Sequence, residues 1–176
     1  MYVYVLMPYN DWQEFKNIGK IDNFDECEQS FKDWLKNQMR SRGCLILESD
    51  IPIYAYSEKP PLWYHPFKRV ICKVLVNESD IIEFDEHIYI HTLDCFNNKT
   101  DIFSSVSETE DNEKINASHD ECLKSYERMF DKDLKRDPRW IGKYEKRIFI
   151  SSLSRNMIRK VWVYRGSKRL SRIRKR

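Results

Sequence analysis

Strand-like and helix-like segments follow one another in this chain without the regular alternation that a parallel sheet needs. Tyr2–Met7 is apolar on both faces and predicts an internal strand, which Pro8 ends. Arg69–Val76 is rich in Val and Ile and is the clearest strand. Arg147–Ile150 and Lys160–Tyr164 predict two more strands around a short helical turn. This order predicts an α+β fold with a central mixed or antiparallel sheet and flanking helices.

Helical periodicity marks three segments between these strands. The first begins at Asn10 or Asp11 and closes at Gly19. The second runs from a cap at Asp25 to about Arg42. The third begins at the capping box Ser118-His-Asp-Glu121 and is expected to bury Cys122, Tyr126, Met129 and Phe130. Short extended pieces are predicted at Leu45–Leu47, Ile51–Tyr56, Ile81–Ile82 and His87–Ile90.

Charge divides the chain into an acidic body and a basic end. The 176 residues hold 31 Lys or Arg and 28 Asp or Glu, but nine of the basic residues and no acid lie in 159–176. The first 158 residues therefore carry a net charge of −6. We expect a single domain over 1–164, with a mobile acidic loop at about 101–117, followed by a basic tail over 165–176. A polyanion or an acidic protein face is the partner that such an asymmetry favours.

Several functional classes lack their signatures. Four glycines form no phosphate-binding loop, and no apolar run approaches the roughly 20 residues of a membrane span. The N-terminus lacks the features of a signal peptide, so we expect a cytoplasmic protein. Five widely spaced cysteines without a C-x-x-C pair indicate reduced thiols, neither a disulfide framework nor a zinc site.

One polar group has the spacing of a metal or acid–base site. On a strand, Asp85, His87, Tyr89 and His91 would share one face. Two imidazoles and a carboxylate there are ligands for a divalent metal or an acid–base pair. A half-exposed sheet face with inward isoleucines explains the same pattern, so no metal is predicted and Asp85, His87 and His91 remain its candidates.

Aromatic and basic residues elsewhere suggest ligand contacts. Trp63 and Tyr64 in a proline-rich loop have rings that could stack on a base, or could fill the core. Arg139 and Trp140 suit phosphate contact, or end a helix. The tail residues are polyanion-binding candidates or a solubilising end: Arg165, Lys168, Arg169, Arg172, Arg174, Lys175 and Arg176.

Taken in order, several segments resemble an uncharacterised family of small bacterial and phage proteins, the domain-of-unknown-function family 3841. The chain departs from that pattern at Met7 and Phe149, where the family has glutamines. The matching segments are Tyr4–Gly19, Phe31–Met39, Ile51–Tyr56, Val74–Asp85, Ser125–Asp131 and the closing pair of strands.

The predicted strands at the two ends of the chain are also similar to those of the ADP-ribosyltransferase superfamily. The segment 147–163, a strand, a turn and a final strand, carries this resemblance. This resemblance implies NAD as cofactor, nicotinamide stacking on Trp63 and Tyr64, and a catalytic set drawn from Tyr4, His65, His87 and Glu145. Such enzymes need a Glu on the penultimate strand, and Glu145 lies at least one residue too early.

The charge split and the incomplete catalytic set favour a non-enzymatic binding protein without a cofactor. The partner would be a nucleic acid, a nucleoprotein or an acidic protein surface, and a bacterial or phage effector or inhibitor fits this description. A divergent ADP-ribosyltransferase-like enzyme that uses NAD is the alternative.

Overall fold

Six antiparallel strands form one sheet in the computed structural model, which describes residues 1–19, 29–61, 67–90, 126–131 and 146–165. Across the sheet the strands lie in the order β4-β5-β2-β1-β3-β6. Their bounds are β1 Tyr2–Pro8, β2 Ile53–Tyr56, β3 Arg69–Leu75, β4 Ile81–Asp85, β5 Lys146–Ile150 and β6 Ile158–Tyr164. The described residues also form two helices, α1 (Tyr9–Ile18) and α2 (Gln29–Ser41), a helical segment at 86–90, and 3₁₀ turns at Glu78–Asp80, Glu127–Phe130 and Arg155–Met157. The α+β prediction is confirmed.

Helix α1 covers one side of the sheet, which we call the α1 face. Alternate residues of β1, namely Val3, Val5 and Met7, are buried on this face in one cluster with Phe15 of α1. The helix ends at Gly19, whose backbone is left-handed (φ 84°) and whose N–H donates to the Phe15 carbonyl at 2.7 Å. A glycine adopts this conformation without the steric cost that a Cβ would add, which explains the abrupt stop.

Helix α2 lies on the opposite side, the α2 face. Its apolar stripe Phe31, Trp34, Leu35 and Met39 is buried with residues of β4 and β5 and with the 3₁₀ turn at Glu127–Phe130. In the described part of the chain, no buried residue of β1, β3 or β6 belongs to this cluster. The helix therefore covers the β4–β5 half of its face, and the β1–β3–β6 half carries other side chains.

Most element predictions are confirmed within one or two residues. They include β1, the short helix closed by Gly19, the strand at Arg69, and the closing pair of strands around a helical turn. The predicted burial of Tyr126 and Met129 is also confirmed. Leu45–Leu47 lies in no strand. The caps at Asp25 and Ser118, the acidic loop and the tail beyond Arg165 lie outside the described residues.

The prediction of a strand at His87–Ile90 is wrong. Residues 86–90 are helical, and the Oδ1 of Asp85 accepts the backbone N–H of His87 at 3.1 Å. This is the geometry of a helix N-cap, because the capping carboxylate satisfies the N–H of the second helical residue. Ile88 and Tyr89 are both buried. The local cap and this burial outweigh a period-two pattern that spans only a few residues.

Candidate functional site

Three lysines lie on the part of the α2 face that α2 leaves uncovered. Lys73 of β3 lies directly opposite Lys160 of β6, and Lys59 reaches the same area from the segment after β2. Lys59 and Lys160 are exposed, and Lys73 is half-buried. We call Lys59, Lys73 and Lys160 the lysine cluster.

Aromatic rings lie beside each of these lysines. The Nζ atoms of Lys59 and Lys160 are 4.3 and 5.0 Å from the centroid of the Trp162 ring. The Nζ of Lys73 is 4.0 Å from the Tyr2 ring centroid. Tyr4 lies opposite Lys73 on β1, and its ring centroid is 6.2 Å from that of Trp162. The cluster is therefore a set of cations on an aromatic floor, the combination that suits a polyanion with planar groups.

A β-bulge explains how two lysines come to face each other. The β3–β6 register shifts between Lys73 and Val74, so that Val74 pairs with Ile158 and Lys73 pairs with Lys160. Ile158 packs on the α1 face, and strict alternation would place Lys160 there too. The extra residue, Arg159, moves Lys160 to the α2 face. Bulges re-aim side chains in this way and are frequent beside functional sites.

Lys73 and Lys160 occupy directly opposite positions on β3 and β6. Like charges directly opposite on neighbouring strands destabilise a sheet. Within the described ranges, none of the three lysines forms an ion pair with a carboxylate. A lysine on an edge strand such as β6 also discourages edge-to-edge pairing. That role does not account for Lys73, because β3 lies between β1 and β6.

A second charged group, formed by Tyr54, Glu86 and Arg147, lies nearer to α2. The Tyr54 hydroxyl donates to the Glu86 carboxylate, and the Nε of Arg147 donates to the Tyr54 oxygen at 2.9 Å. Arg147 also forms an ion pair with Glu86, and its guanidinium carbon is 4.9 Å from the Tyr56 ring centroid. Burial, and then the adjacent Glu86, raise the pKa of Tyr54 far above its ordinary value. These charges compensate one another, so we interpret the group as a structural clasp.

A groove at one end of the sheet has a volume of about 520 Å³. Its polar lining includes Ser151, Ser152, Ser154 and Cys44, but no histidine, lysine or arginine lines it. Burial, with a smaller effect of Asp80, raises the pKa of the Cys44 thiol, which donates to the Ile81 carbonyl at 3.0 Å. A protonated thiol is a poor nucleophile. Asp50 and Asp80 also line the groove, but the protonated Cys44 thiol is not an activated nucleophile.

The described part of the chain contains only some of the predicted site residues. Tyr4 is on β1, and His87 is in the helical segment that follows β4. Two strands, β5 and β2, lie between β4 and β1 in the sheet. Arg165 is exposed directly after β6. The following candidates lie outside the described residues: Trp63, Tyr64, His65, His91, Arg139, Trp140, Glu145 and the tail from Lys168 to Arg176.

The prediction that Asp85, His87 and His91 share one strand face is wrong for Asp85 and His87, the two of them that lie within the described residues. Asp85 ends β4 and is buried, whereas His87 is helical, so strand alternation does not relate the two side chains. Within the ranges given above, no three His, Cys, Asp or Glu side chains are grouped as a metal site requires.

The sequence pattern did not single out the lysine cluster. Lys73 and Lys160 each interrupt an apolar strand, and β6 alternates Lys160, Trp162 and Tyr164 with valines. That alternation indicates a polar and aromatic face on β6, and it is the one sign of the cluster in the sequence. The partnership of Lys73 and Lys160 depends on the β3–β6 register and its bulge, which only the folded sheet specifies.

Comparison of the chain with protein-family models, curated proteins and solved structures finds no match. The resemblances to family 3841 and to ADP-ribosyltransferases therefore remain predictions without support from relatives. None of the helices in the described ranges has the length and hydropathy needed to cross a bilayer.

Proposed function

We propose that this protein is a non-enzymatic nucleic-acid-binding protein. Its folded body would contact the phosphates through the lysine cluster, and its basic tail would supply a second contact. The observation that carries the proposal is the opposition of Lys73 and Lys160 beside aromatic rings, without a carboxylate partner among the described residues. A bound phosphate would supply the missing negative charge and remove the cost of placing the two lysines together.

Nucleic acid fits this site better than an acidic protein surface does. Carboxylates would satisfy the lysines but would leave the rings of Tyr2, Tyr4 and Trp162 without planar partners. A nucleic acid brings both groups together, since each nucleotide has one phosphate and one flat base. The arrangement of cations and rings on one sheet face therefore favours a nucleic acid.

The test is the salt dependence of binding to a labelled oligonucleotide. The variant Lys59→Gln/Lys73→Gln/Lys160→Gln removes three charges and keeps the length of the side chains. Each phosphate contact contributes about 0.7 to the slope of log K against log salt for a single strand, and about 0.9 for a duplex. We expect the triple variant to lose about 2 from the magnitude of that slope. Fluorescence anisotropy between about 50 and 200 mM salt measures it.

Lys16→Gln is the matched control, because Lys16 is an exposed lysine in the last turn of α1, on the other side of the sheet. It should leave the slope unchanged. Polyglutamate is the competitor that separates the two partner classes. If polyglutamate binds as tightly as the oligonucleotide at equal charge concentration, the rings add nothing and nucleic acid is not favoured over an acidic protein. Equal slopes for the triple variant and Lys16→Gln would also contradict the proposal.

A further inference from the structure

We infer that the nucleic acid at this site is single-stranded, with bases stacked on Tyr2 and Trp162 and the intervening phosphates over Lys73 and Lys160. This inference rests on the proposed function and specifies its ligand. It depends on where the rings and lysines lie in the sheet, and on how much of each ring is accessible.

The rings and the cations occupy three successive rows across the strands. Lys73 and Lys160 form the middle row, beside Tyr4. Tyr2 precedes this row by two residues on β1, and Trp162 follows it by two residues on β6. Given about 3.4 Å per residue and about 4.8 Å per strand, Tyr2 and Trp162 are roughly 17 Å apart. A strand that contacts both rings must therefore cross the row of lysines.

Ile71 lies on the same face between these positions and is buried. Ile71 lies opposite Leu6 on one side and Trp162 on the other, and it is 1% exposed. Tyr2, in contrast, is 47% exposed. The exposed ring of Tyr2 gives a base a surface to stack on. Such a surface accepts any base, because every base has a π-face.

Lys73 lies over the Tyr2 ring, and Lys59 and Lys160 lie over the Trp162 ring. A base that stacks on either ring would displace these ammonium groups at a small cost in free energy. An exposed cation–π contact changes an equilibrium by about two- to fivefold. Stacking of one base on an aromatic side chain changes it by about five- to 150-fold. The stacking term is larger, and each displaced ammonium can then contact the adjoining phosphate. The lysines and rings are therefore compatible with simultaneous occupation by one strand.

A duplex does not fit this face. Its bases already stack on each other and are unavailable to Tyr2 and Trp162. Six strands at about 4.8 Å spacing span roughly 24 Å, whereas the major groove is about 12 Å wide. The sheet face would touch only the phosphates of a duplex, so the rings would add nothing to its binding.

Three probes test the inference on the full-length protein: a single strand, the duplex of the same sequence, and a strand of the same length made of abasic sites. The abasic strand keeps the phosphates and lacks the bases. We expect the single strand to bind at least five times more tightly than the abasic strand. An abasic strand or a duplex that binds as tightly as the single strand would overturn the inference.

Variants at the two rings, Tyr2 and Trp162, test where the bases stack. Tyr2→Leu should reduce the preference for the single strand over the abasic strand by about fivefold or more. Trp162→Leu should do the same, and Trp162→Phe, which keeps a ring, should restore most of it. If Trp162→Leu fails to fold, as circular dichroism would show, the exposed Tyr2→Leu carries the test. A preference that neither Tyr2→Leu nor a folded Trp162 variant changes would also overturn it.

The outcomes separate this inference from the proposed function. Loss of the single-strand preference, with binding that still weakens in the lysine triple variant, removes the inference and keeps nucleic-acid binding. Absence of binding to every probe, or binding indifferent to the three lysines, removes both.

Discussion

At the scale of single residues, Cys72 links burial to pH. It lies in β3 with none of its surface exposed, and burial raises its pKa from 9.0 to about 12. The folded state holds the thiol proton more tightly than the unfolded state, so the contribution of Cys72 to stability is complete below about pH 9 and falls as the pH rises toward 12. The slope is up to about 1.4 kcal/mol per pH unit.

We therefore expect the free energy of unfolding to fall more steeply with pH in the wild type than in Cys72→Ala. Urea denaturation between about pH 8.5 and 10 measures both slopes, and the tyrosines, which are the same in both proteins, contribute equally to each. The cavity that Cys72→Ala creates lowers the free energy of unfolding by the same amount at every pH, so the cavity does not change the slope of that free energy against pH. Parallel slopes for the two proteins would show that Cys72 does not titrate differently in the folded state.

Two glycines with the same backbone conformation offer a second test at this scale. Gly19 and Gly43 have φ values of 84° and 83°. A Cβ at Gly43 meets nothing within 4 Å, whereas one at Gly19 would lie 3.3 Å from the Nε of Arg155. Arg155 also donates to the Asn17 carbonyl at 2.7 Å.

Either alanine substitution should cost about 1–2 kcal/mol through its left-handed backbone. Gly19→Ala should cost a few tenths of a kcal/mol more, since it also displaces the Arg155 hydrogen bond. Thermal denaturation measures both variants, and Arg155→Ala should abolish their difference. A Gly43→Ala cost that exceeds the Gly19→Ala cost would contradict this account.

At the scale of elements, the clasp of Tyr54, Glu86 and Arg147 joins β2 and β5 to the helical residues 86–90. Its side chains are largely shielded, with 16% of Arg147 and 18% of Glu86 exposed. Removing one charge leaves the other poorly solvated, so Glu86→Gln should destabilise the fold by about 2–3 kcal/mol.

Arg147→Gln should cost a similar amount, and the double variant should cost clearly less than the sum of the two. A double-mutant cycle from urea denaturation measures the coupling. Arg40→Gln is the control, because Arg40 and Glu48 are more exposed than the clasp and their ion pair should contribute at most about 1 kcal/mol. Additive costs at Glu86 and Arg147 would mean that the ion pair does not couple these elements.

Element prediction succeeded where a local signal agreed with the tertiary environment. Gly19 ends α1 in the sequence pattern and in the structure, and the alternation of Val3, Val5 and Met7 is the burial pattern of β1. It failed at 86–90, where the N-cap of Asp85 competes with a short period-two pattern. It also missed the lysine cluster, because the one-residue shift in β6 that brings Lys160 to the α2 face is a property of strand pairing.

At the scale of the whole molecule, positive charge is concentrated in two places, the basic end of the chain and the lysine cluster. Only the first can be recognised from the sequence. The excess of positive charge in 159–176 is visible from composition, and it led to the prediction of a polyanion partner. The lysine cluster lies mostly within an acidic body, and its members are separated by up to about a hundred residues of chain. Composition alone suggests the proposed tail contact, whereas the proposed contact on the folded body follows only from the sheet register.

If tail and cluster contact one nucleic acid, their contributions to the salt slope should add. A chain that ends at Arg165 lacks six Lys or Arg, and the lysine triple variant lacks three. For a single strand, the slope should fall by up to about 4 in the truncated protein and by about 2 in the triple variant. The combined variant should show the sum of the two decreases.

Anisotropy titrations of the four proteins on one oligonucleotide measure this. Additivity follows from counterion release, because each neutralised phosphate frees its own counterions wherever the cation lies. A truncated protein whose residual slope no longer responds to the three lysines would mean that the tail alone contacts phosphate. The opposed lysines of β3 and β6 would then be a cost that nucleic acid does not relieve, and the proposed contact on the sheet face would be wrong.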